Sequence, residues 1–226
     1  MSSGGVTRRL AAVLFDLDGT LIDSAPDLAG ACNDMRVARN LPRLPLDHFR
    51  PMVGSGARGM VGRAFEVTPD DERNEELREE FLKRYEVRMT RQTRVFPLMV
   101  PVLLRLSQSR MPWGIVTNKA TRFAVPLVRT LQLDRQTATL VCGDTVAHSK
   151  PHPAPLLEAS RQMNVSPEQC VYVGDDLRDV EAGRAAGMLT VAAGWGYLGL
   201  GEPIDSWGAD HVVASPRNLL NQLGMA

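Results

Sequence analysis

The stretch Ala11-Ala12-Val13-Leu14-Phe15-Asp16-Leu17-Asp18-Gly19-Thr20 runs five apolar residues into an abrupt Asp-Leu-Asp-Gly-Thr ending. A continuous apolar run of this length, closed by polar residues, reads as a strand covered on both faces. Residues i and i+2 of a strand face the same way, so Asp16 and Asp18 enter one pocket. Gly19 lets the chain turn closely beneath that pocket. Two crowded carboxylates repel, and a divalent cation relieves the repulsion. One of them can serve as a nucleophile toward a phosphoryl group, while the other moves protons. The ordinary alternative is a solvated Asp-x-Asp-Gly turn.

Working outward, residues 113–117, 139–142, 170–174, 189–192 and 211–213 read as further short buried strands, with residues 11–16 as the first. Residues 100–108, 122–131, 154–164 and 179–186 carry apolar side chains at three- and four-residue spacing and read as helices. Pro126 lies inside the second of these patterns, where it kinks the helix or marks its start. Strand alternating with helix predicts an α/β fold, a doubly wound parallel sheet of Rossmann-like form. In such sheets, sites form at the carboxyl ends of the strands. Residues 23–94 break the alternation, with helices predicted near 26–40, 55–65 and 70–90. They read as an inserted helical cap domain, leaving residues 1–22 and 95–226 as the core domain.

Composition narrows the function. Among 226 residues, Lys+Arg and Asp+Glu balance at 26 each, so nothing draws the chain to nucleic acid or an anionic membrane. No apolar run reaches membrane-spanning length. Residues 1–10 read as a short polar tail, and Cys32, Cys142 and Cys170 as free thiols in a reducing cytoplasm.

Three more clusters end predicted strands or open predicted helices. Thr117-Asn118 offers a hydroxyl and helix-start amides to a phosphate oxygen, or simply caps a helix. Lys150 sits before Pro151-His152-Pro153, where its charge adds to a helix's positive end, or is a surface lysine in a proline-rich loop. His152 reads as structural or exposed. Gly174-Asp175-Asp176-Leu177-Arg178-Asp179 places three acids at a strand end, a good setting for a hard cation such as Mg²⁺ and also for an acidic helix N-terminus.

In this order the four clusters resemble the four motifs of the haloacid dehalogenase superfamily, and the resemblance spans residues 11–213. It implies that Asp16 is the nucleophile and a Mg²⁺ ligand. Asp18 would be the acid/base, binding metal through its carbonyl. Thr117 and Asn118 would hold the phosphoryl group, Lys150 would neutralise it, Asp175 would bind Mg²⁺, and Asp179 would hold the outer shell or Lys150. Asp176 stands where relatives often have Ser. Leu21-Ile22-Asp23-Ser24-Ala25-Pro26-Asp27-Leu28 looks most like phosphoglycolate phosphatases. Gly56-Ala57-Arg58 and Trp207-Gly208-Ala209-Asp210 are shared with N-acetylmuramic acid 6-phosphate phosphatases. The implied protein is a cytoplasmic phosphomonoesterase, monomer or homodimer, acting on a small phosphorylated metabolite. Phe96-Pro97-Leu98-Met99 departs from the relatives' pattern at the cap hinge.

Other readings compete. Gly54-x-Gly56-x-x-Gly59 and Gly194-x-Gly196-x-x-Gly199 both fit a dinucleotide pattern, yet neither follows a strand and opens a helix. Gly56 and Arg58 are better read as a substrate-facing cap loop, with Arg58 able to pair with a carboxylate or to remain solvated like Arg63. Met52, Met60, Phe65 and Phe81 read as packing. A phosphosugar mutase of the β-phosphoglucomutase type would share the four motifs. A dehalogenase would need neither Asp18 nor a metal. A non-catalytic binding protein would have no use for the set Asp16, Asp18, Lys150 and Asp175.

Overall fold

The computed structural model describes residues 10–225, so the predicted tail lies outside the described residues except for Leu10. In chain order the elements are β1 (Ala12–Phe15), β2 (Ile22–Asp23), α1 (Ala25–Ala38), α2 (Leu46–Phe49), a 3₁₀ turn (Arg50–Ser55), α3 (Gly56–Phe65), α4 (Arg73–Arg88), β3 (Arg94–Val95) and α5 (Met99–Gln108). There follow β4 (Trp113–Val116), α6 (Thr121–Thr130), β5 (Thr139–Val141), α7 (Ala154–Met163), β6 (Cys170–Gly174), α8 (Leu177–Ala185), β7 (Leu189–Ala193), β8 (His211–Val213) and α9 (Pro216–Gln222).

Six strands form one parallel sheet in the order β5-β4-β1-β6-β7-β8. All four β1 residues are fully buried, and they alternate between two cores. Val13 and Phe15 pack with Trp113, Ile115 and Val171. Ala12 and Leu14 pack with Val116, Leu156 and Tyr172 on the opposite face. This double burial explains the unbroken apolar run. Register does the rest, because Phe15 pairs with Ile115 on one side and Val173 on the other. Three strands therefore end at one level, and the residues that follow them share one crevice.

The chain leaves the sheet through β2 and returns through β3, which pair antiparallel as Ile22 with Val95 and Asp23 with Arg94. Residues 24–93 lie between them and carry α1 to α4. Buried Asp27 ties the start of α1 to the return segment. Its Oδ2 accepts from the Gln92 and Thr93 amides, both at 2.8 Å, and from Thr93 Oγ1 at 2.9 Å.

Several boundaries differ from the sequence reading. The acids before α4 belong to a turn, where Asp71 Oδ1 accepts from the Arg73 amide at 2.9 Å, so the helix begins three residues later than predicted. Pro126 neither starts nor stops α6, which begins at Thr121 and holds Pro126 in its interior. The β2–β3 ribbon, α2, the 3₁₀ turn and α9 are too short for a periodicity to reveal. Among the described residues no helix is long and apolar enough to cross a membrane, and Cys32, Cys142 and Cys170 are free and buried.

Candidate active site

Asp16 extends β1 by one ladder bond, its amide donating to Val173 O at 2.9 Å. The chain then folds back at once, with the Leu21 and Ile22 amides both donating to Leu17 O at 3.0 Å. Gly19 makes that turn at φ +88°, and a Cβ there would lie 2.2 Å from Asp175 Oδ2. Only glycine supplies both the conformation and the space. The neighbouring Thr20 hydroxyl donates to Asp175 Oδ1 at 2.7 Å, and the Tyr197 amide donates to Oδ2 at 2.8 Å.

Lys150 is the electrostatic centre. Its ammonium donates to Asp16 Oδ1 at 2.8 Å, Asp179 Oδ1 at 2.7 Å, the Tyr172 hydroxyl at 2.7 Å and Val116 O at 3.1 Å. The loop presenting it is clamped by Asn118. Asn118 Nδ2 donates to Lys150 O and Lys150 N donates to Asn118 Oδ1, each at 2.9 Å. Both ends of the Asn118 side chain are thereby engaged in holding the lysine backbone. Thr117, directly after β4, accepts at its Oγ1 from the Lys119 amide at 3.1 Å.

Asp16, Asp175 and Asp179 each offer a carboxylate oxygen, all within 4.8 Å of one another. Burial, above all, raises Asp16 to about 7, with Asp179 raising it further and Lys150 opposing. Burial also holds Asp175 well above the ordinary carboxylate range, helped by Asp16 and Asp179. For Lys150, burial alone would lower the pKa, but Asp16 and Asp179 outweigh it and keep the ammonium charged. Three carboxylates thus face one ammonium in an all-oxygen donor set. That excess negative charge fits a hard divalent cation, with water completing its shell.

Asp18 lines the same cavity as Asp16 but takes different partners. Its two oxygens accept from the Lys119 ammonium at 3.1 and 3.0 Å, and Oδ1 also accepts from the Ser24 hydroxyl. Lys119 escaped the sequence reading, because a lysine after Thr-Asn looks like a solvated residue and its carboxylate partner lies 101 positions away.

The cavity encloses about 430 Å³ and is lined by Asp16, Asp18, Thr117, Asn118, Lys150, Asp175 and Asp179 at its base. Helical residues between β2 and β3 form its roof. Met60 and Phe81, read from sequence as packing, are buried and also form this wall. Tyr85 joins them, stacked on Phe81 with parallel rings 6.1 Å apart. The Lys119 ammonium lies 4.8 Å from the Tyr85 ring centre, a cation–π distance. Gly56 and Arg58 reach the cavity, with the Arg58 side chain two-thirds exposed. Arg63 instead donates to His48 O at 3.2 Å. His152 is exposed and accepts from the Ala154 amide at the start of α7.

The model of the haloacid dehalogenase-like hydrolases matches residues 13–193. The chain belongs to that family. Over 211 residues it is 43% identical to the N-acetylmuramic acid 6-phosphate phosphatase of Pseudomonas putida, covering 93% of this chain and 95% of the relative. Over 209 residues it is 48% identical to the phosphoglycolate phosphatase of Xanthomonas campestris, covering 92% and 94%. A crystal structure of a predicted phosphoglycolate phosphatase from Haemophilus somnus superposes with a TM-score of 0.82 at 27% identity, covering 96% of this chain and 99% of the other.

In this hydrolase the fifth acid lining the cavity, Asp176, is already occupied. Asp176 caps α8, accepting from the Arg178 amide at 3.0 Å, while Asp179 Oδ2 accepts from the Asp176 amide at 3.1 Å. The reciprocal arrangement is a capping box with acids at both positions.

Proposed function

We propose that this hydrolase is a Mg²⁺-dependent phosphomonoesterase working through an aspartyl-phosphate on Asp16. One observation carries the reading. A buried ammonium, Lys150, bridges Asp16 and Asp179 at 2.8 and 2.7 Å on the floor of a cavity that Asp18 also lines. The Asp16 carboxylate attacks phosphorus while Asp18 gives a proton to the departing alkoxide. Asp18 then takes a proton from the water that cleaves the acyl phosphate, returning Asp16 free and releasing inorganic phosphate. Lys150 holds Asp16 in line and offsets charge on the phosphoryl oxygens, which is the main catalytic demand in phosphoryl transfer. Thr117 and the start of the following segment receive the phosphoryl oxygens, and Asn118 contributes by fixing the Lys150 backbone. Asp16, the Asp18 carbonyl and Asp175 would hold Mg²⁺, with Asp179 held to Lys150. When bound, the ion supplies positive charge against the phosphoryl oxygens.

The cavity favours N-acetylmuramic acid 6-phosphate over phosphoglycolate as substrate. Its roof combines apolar Leu28, Met60, Phe81 and Tyr85 with the cations Arg58 and Arg78. A two-carbon acid would leave most of the roughly 430 Å³ cavity to water, whereas an amino sugar would fill it, its acetyl and lactyl methyl groups against the apolar wall and its carboxylate toward the arginines. Three buried free thiols fit a cytoplasmic setting.

Two measurements test this. Asp16→Asn should abolish phosphate release while leaving the far-UV circular dichroism unchanged; a variant that still turns over refutes the nucleophile. Side-by-side kcat/KM on the two esters should favour the amino-sugar phosphate, and a preference for phosphoglycolate overturns the substrate choice.

A further inference from the structure

Arg178 joins the catalytic loop to the cavity roof. Its guanidinium forks onto the Asp176 carboxylate, Nε to Oδ1 at 2.7 Å and Nη2 to Oδ2 at 2.8 Å. The same Nη2 donates to Gly54 O, 124 positions away in the 3₁₀ turn that precedes α3. Nη2 carries two protons, so these two acceptors exhaust it. The approach is close on the other side too, since a Cβ on Gly54 would lie 2.8 Å from Asp176 Oδ2 and the carboxylate would have to shift to admit it. Asp176 directly follows Asp175, and Gly54 directly precedes Ser55, Gly56, Ala57 and Arg58, all of which line the cavity. One bidentate pair thus spans from the phosphoryl end of the site to the turn that faces the leaving group.

We propose that Arg178, held by Asp176, is a positioning residue that straps the Gly54–Arg58 turn over the bound substrate. This rests on the phosphatase reading and assigns Asp176 a purpose beyond capping α8. Arg178 acts through the turn, and its side chain takes no part in the bond-making steps. An exposed arginine–carboxylate pair by itself contributes little. The third contact, to a backbone carbonyl of a different segment, is what converts the pair into a strap. Lysine cannot substitute, because an ammonium cannot fork onto a carboxylate and reach a second acceptor in the same plane.

The experiment compares wild type with Arg178→Ala, Arg178→Lys and Asp176→Asn. Asparagine is a good helix cap but cannot form the ion pair, so it separates the two duties of Asp176. Expected is a rise in KM of about tenfold for each variant, the size of one hydrogen bond to a charged group, with kcat changed less than about threefold. Arg178→Lys should not rescue. Deuterium exchange across residues 50–58 should accelerate in all three. The strap is overturned if exchange there matches wild type, or if KM stays within about twofold while kcat falls, which would put Arg178 on the transition state. A wild type inactive on every phosphomonoester would instead sink the phosphatase reading, and the exchange measurement would still decide the strap.

Discussion

Replacing Lys150 with Met removes a cation that four groups share. The side chain is 3% exposed, and it bridges Asp16 and Asp179, whose side chains are 13% and 3% exposed. Methionine is one atom shorter but keeps the unbranched apolar stem, so the cavity term is small and the loss is mainly electrostatic. Two buried carboxylates remain without their cation, with Asp175 beside them. Breaking a buried pair in this way costs about 3–5 kcal/mol. For a chain of this size that corresponds to a fall in Tm of about 6–20 °C. Thermal unfolding in EDTA at pH 8 measures it directly. The loss should shrink at pH 5.5, because Asp16 already titrates near 7 with Lys150 present, and removing the ammonium raises it further, so the proton takes the place of the cation. It should also shrink on adding Mg²⁺ at pH 8. Arg161→Ala, which removes an exposed pair with Glu158, serves as the control and should move Tm by about 2 °C or less. A Lys150→Met variant as stable as the control at pH 8, or one equally damaged at both pH values, refutes the account of Lys150 as the counter-charge.

The same carboxylates set a pH dependence for the metal. Asp16, raised to about 7, and Asp175, raised above its ordinary range, bind protons more tightly folded than unfolded. Their contribution to metal-free stability is therefore greatest below the ordinary carboxylate pKa and falls as pH rises, for Asp16 through about 7. Tm in EDTA should fall between pH 5 and 8, while Mg²⁺ affinity, which requires ionised ligands, should rise over that interval with proton release detectable by calorimetry; a pH-independent Mg²⁺ Kd contradicts this. Gly19→Ala forces a Cβ to 2.2 Å from Asp175 Oδ2 at a positive φ. It should cost at least about 1 kcal/mol from backbone conformation alone and abolish turnover by displacing Asp175, so a variant with wild-type kcat and Tm refutes the assigned loop geometry.

What could be read from the sequence and what could not divide along a physical line. Each sheet strand was legible: burial on both faces demands an unbroken apolar run, as in Ala12–Phe15 and Cys170–Gly174, and His211–Val213 was read as the same kind of run although Val212 is exposed and His211 only half-buried. Parallel register then brings the residues after those strands to one level without further information. Asp16, Thr117 and Asp175 need nothing more than the ends of β1, β4 and β6 to meet. Lys150 was legible through its place in a motif series; its four contacts depend on Asn118 clamping its backbone, which no local pattern announces. Helix α4 shows the opposite difficulty. Sixteen residues hold many charges, and only Asn74, Leu77, Phe81 and Tyr85 are buried, mostly at four-residue spacing. The stripe identifies the helix but says nothing about what it covers.

The residues that escaped, Lys119, Tyr85 and Arg178 in its contact with Gly54, have partners on a different structural layer. Lys119 meets Asp18 across 101 positions and Tyr85 from the helical segment. Arg178 meets Gly54 across 124. The Lys119–Asp18 pair joins the segments that follow the neighbouring strands β4 and β1, whereas the Tyr85 and Gly54 contacts are dictated by no strand end and depend on how the helices of residues 24–93 settle over the sheet. Local burial and hydrogen bonding specify the sheet edge strongly, because every misplaced backbone group there would be left unpaired. The packing of α1, α3 and α4 over that edge is set by side-chain contacts with weaker constraints, and a modest shift of those helices would change which side chains line the cavity. The half of the cavity at the strand ends is therefore fixed by backbone geometry, while the half lined by residues 24–93 is open to change by substitution at Arg58, Phe81 or Tyr85 without disturbing Asp16 and Lys150.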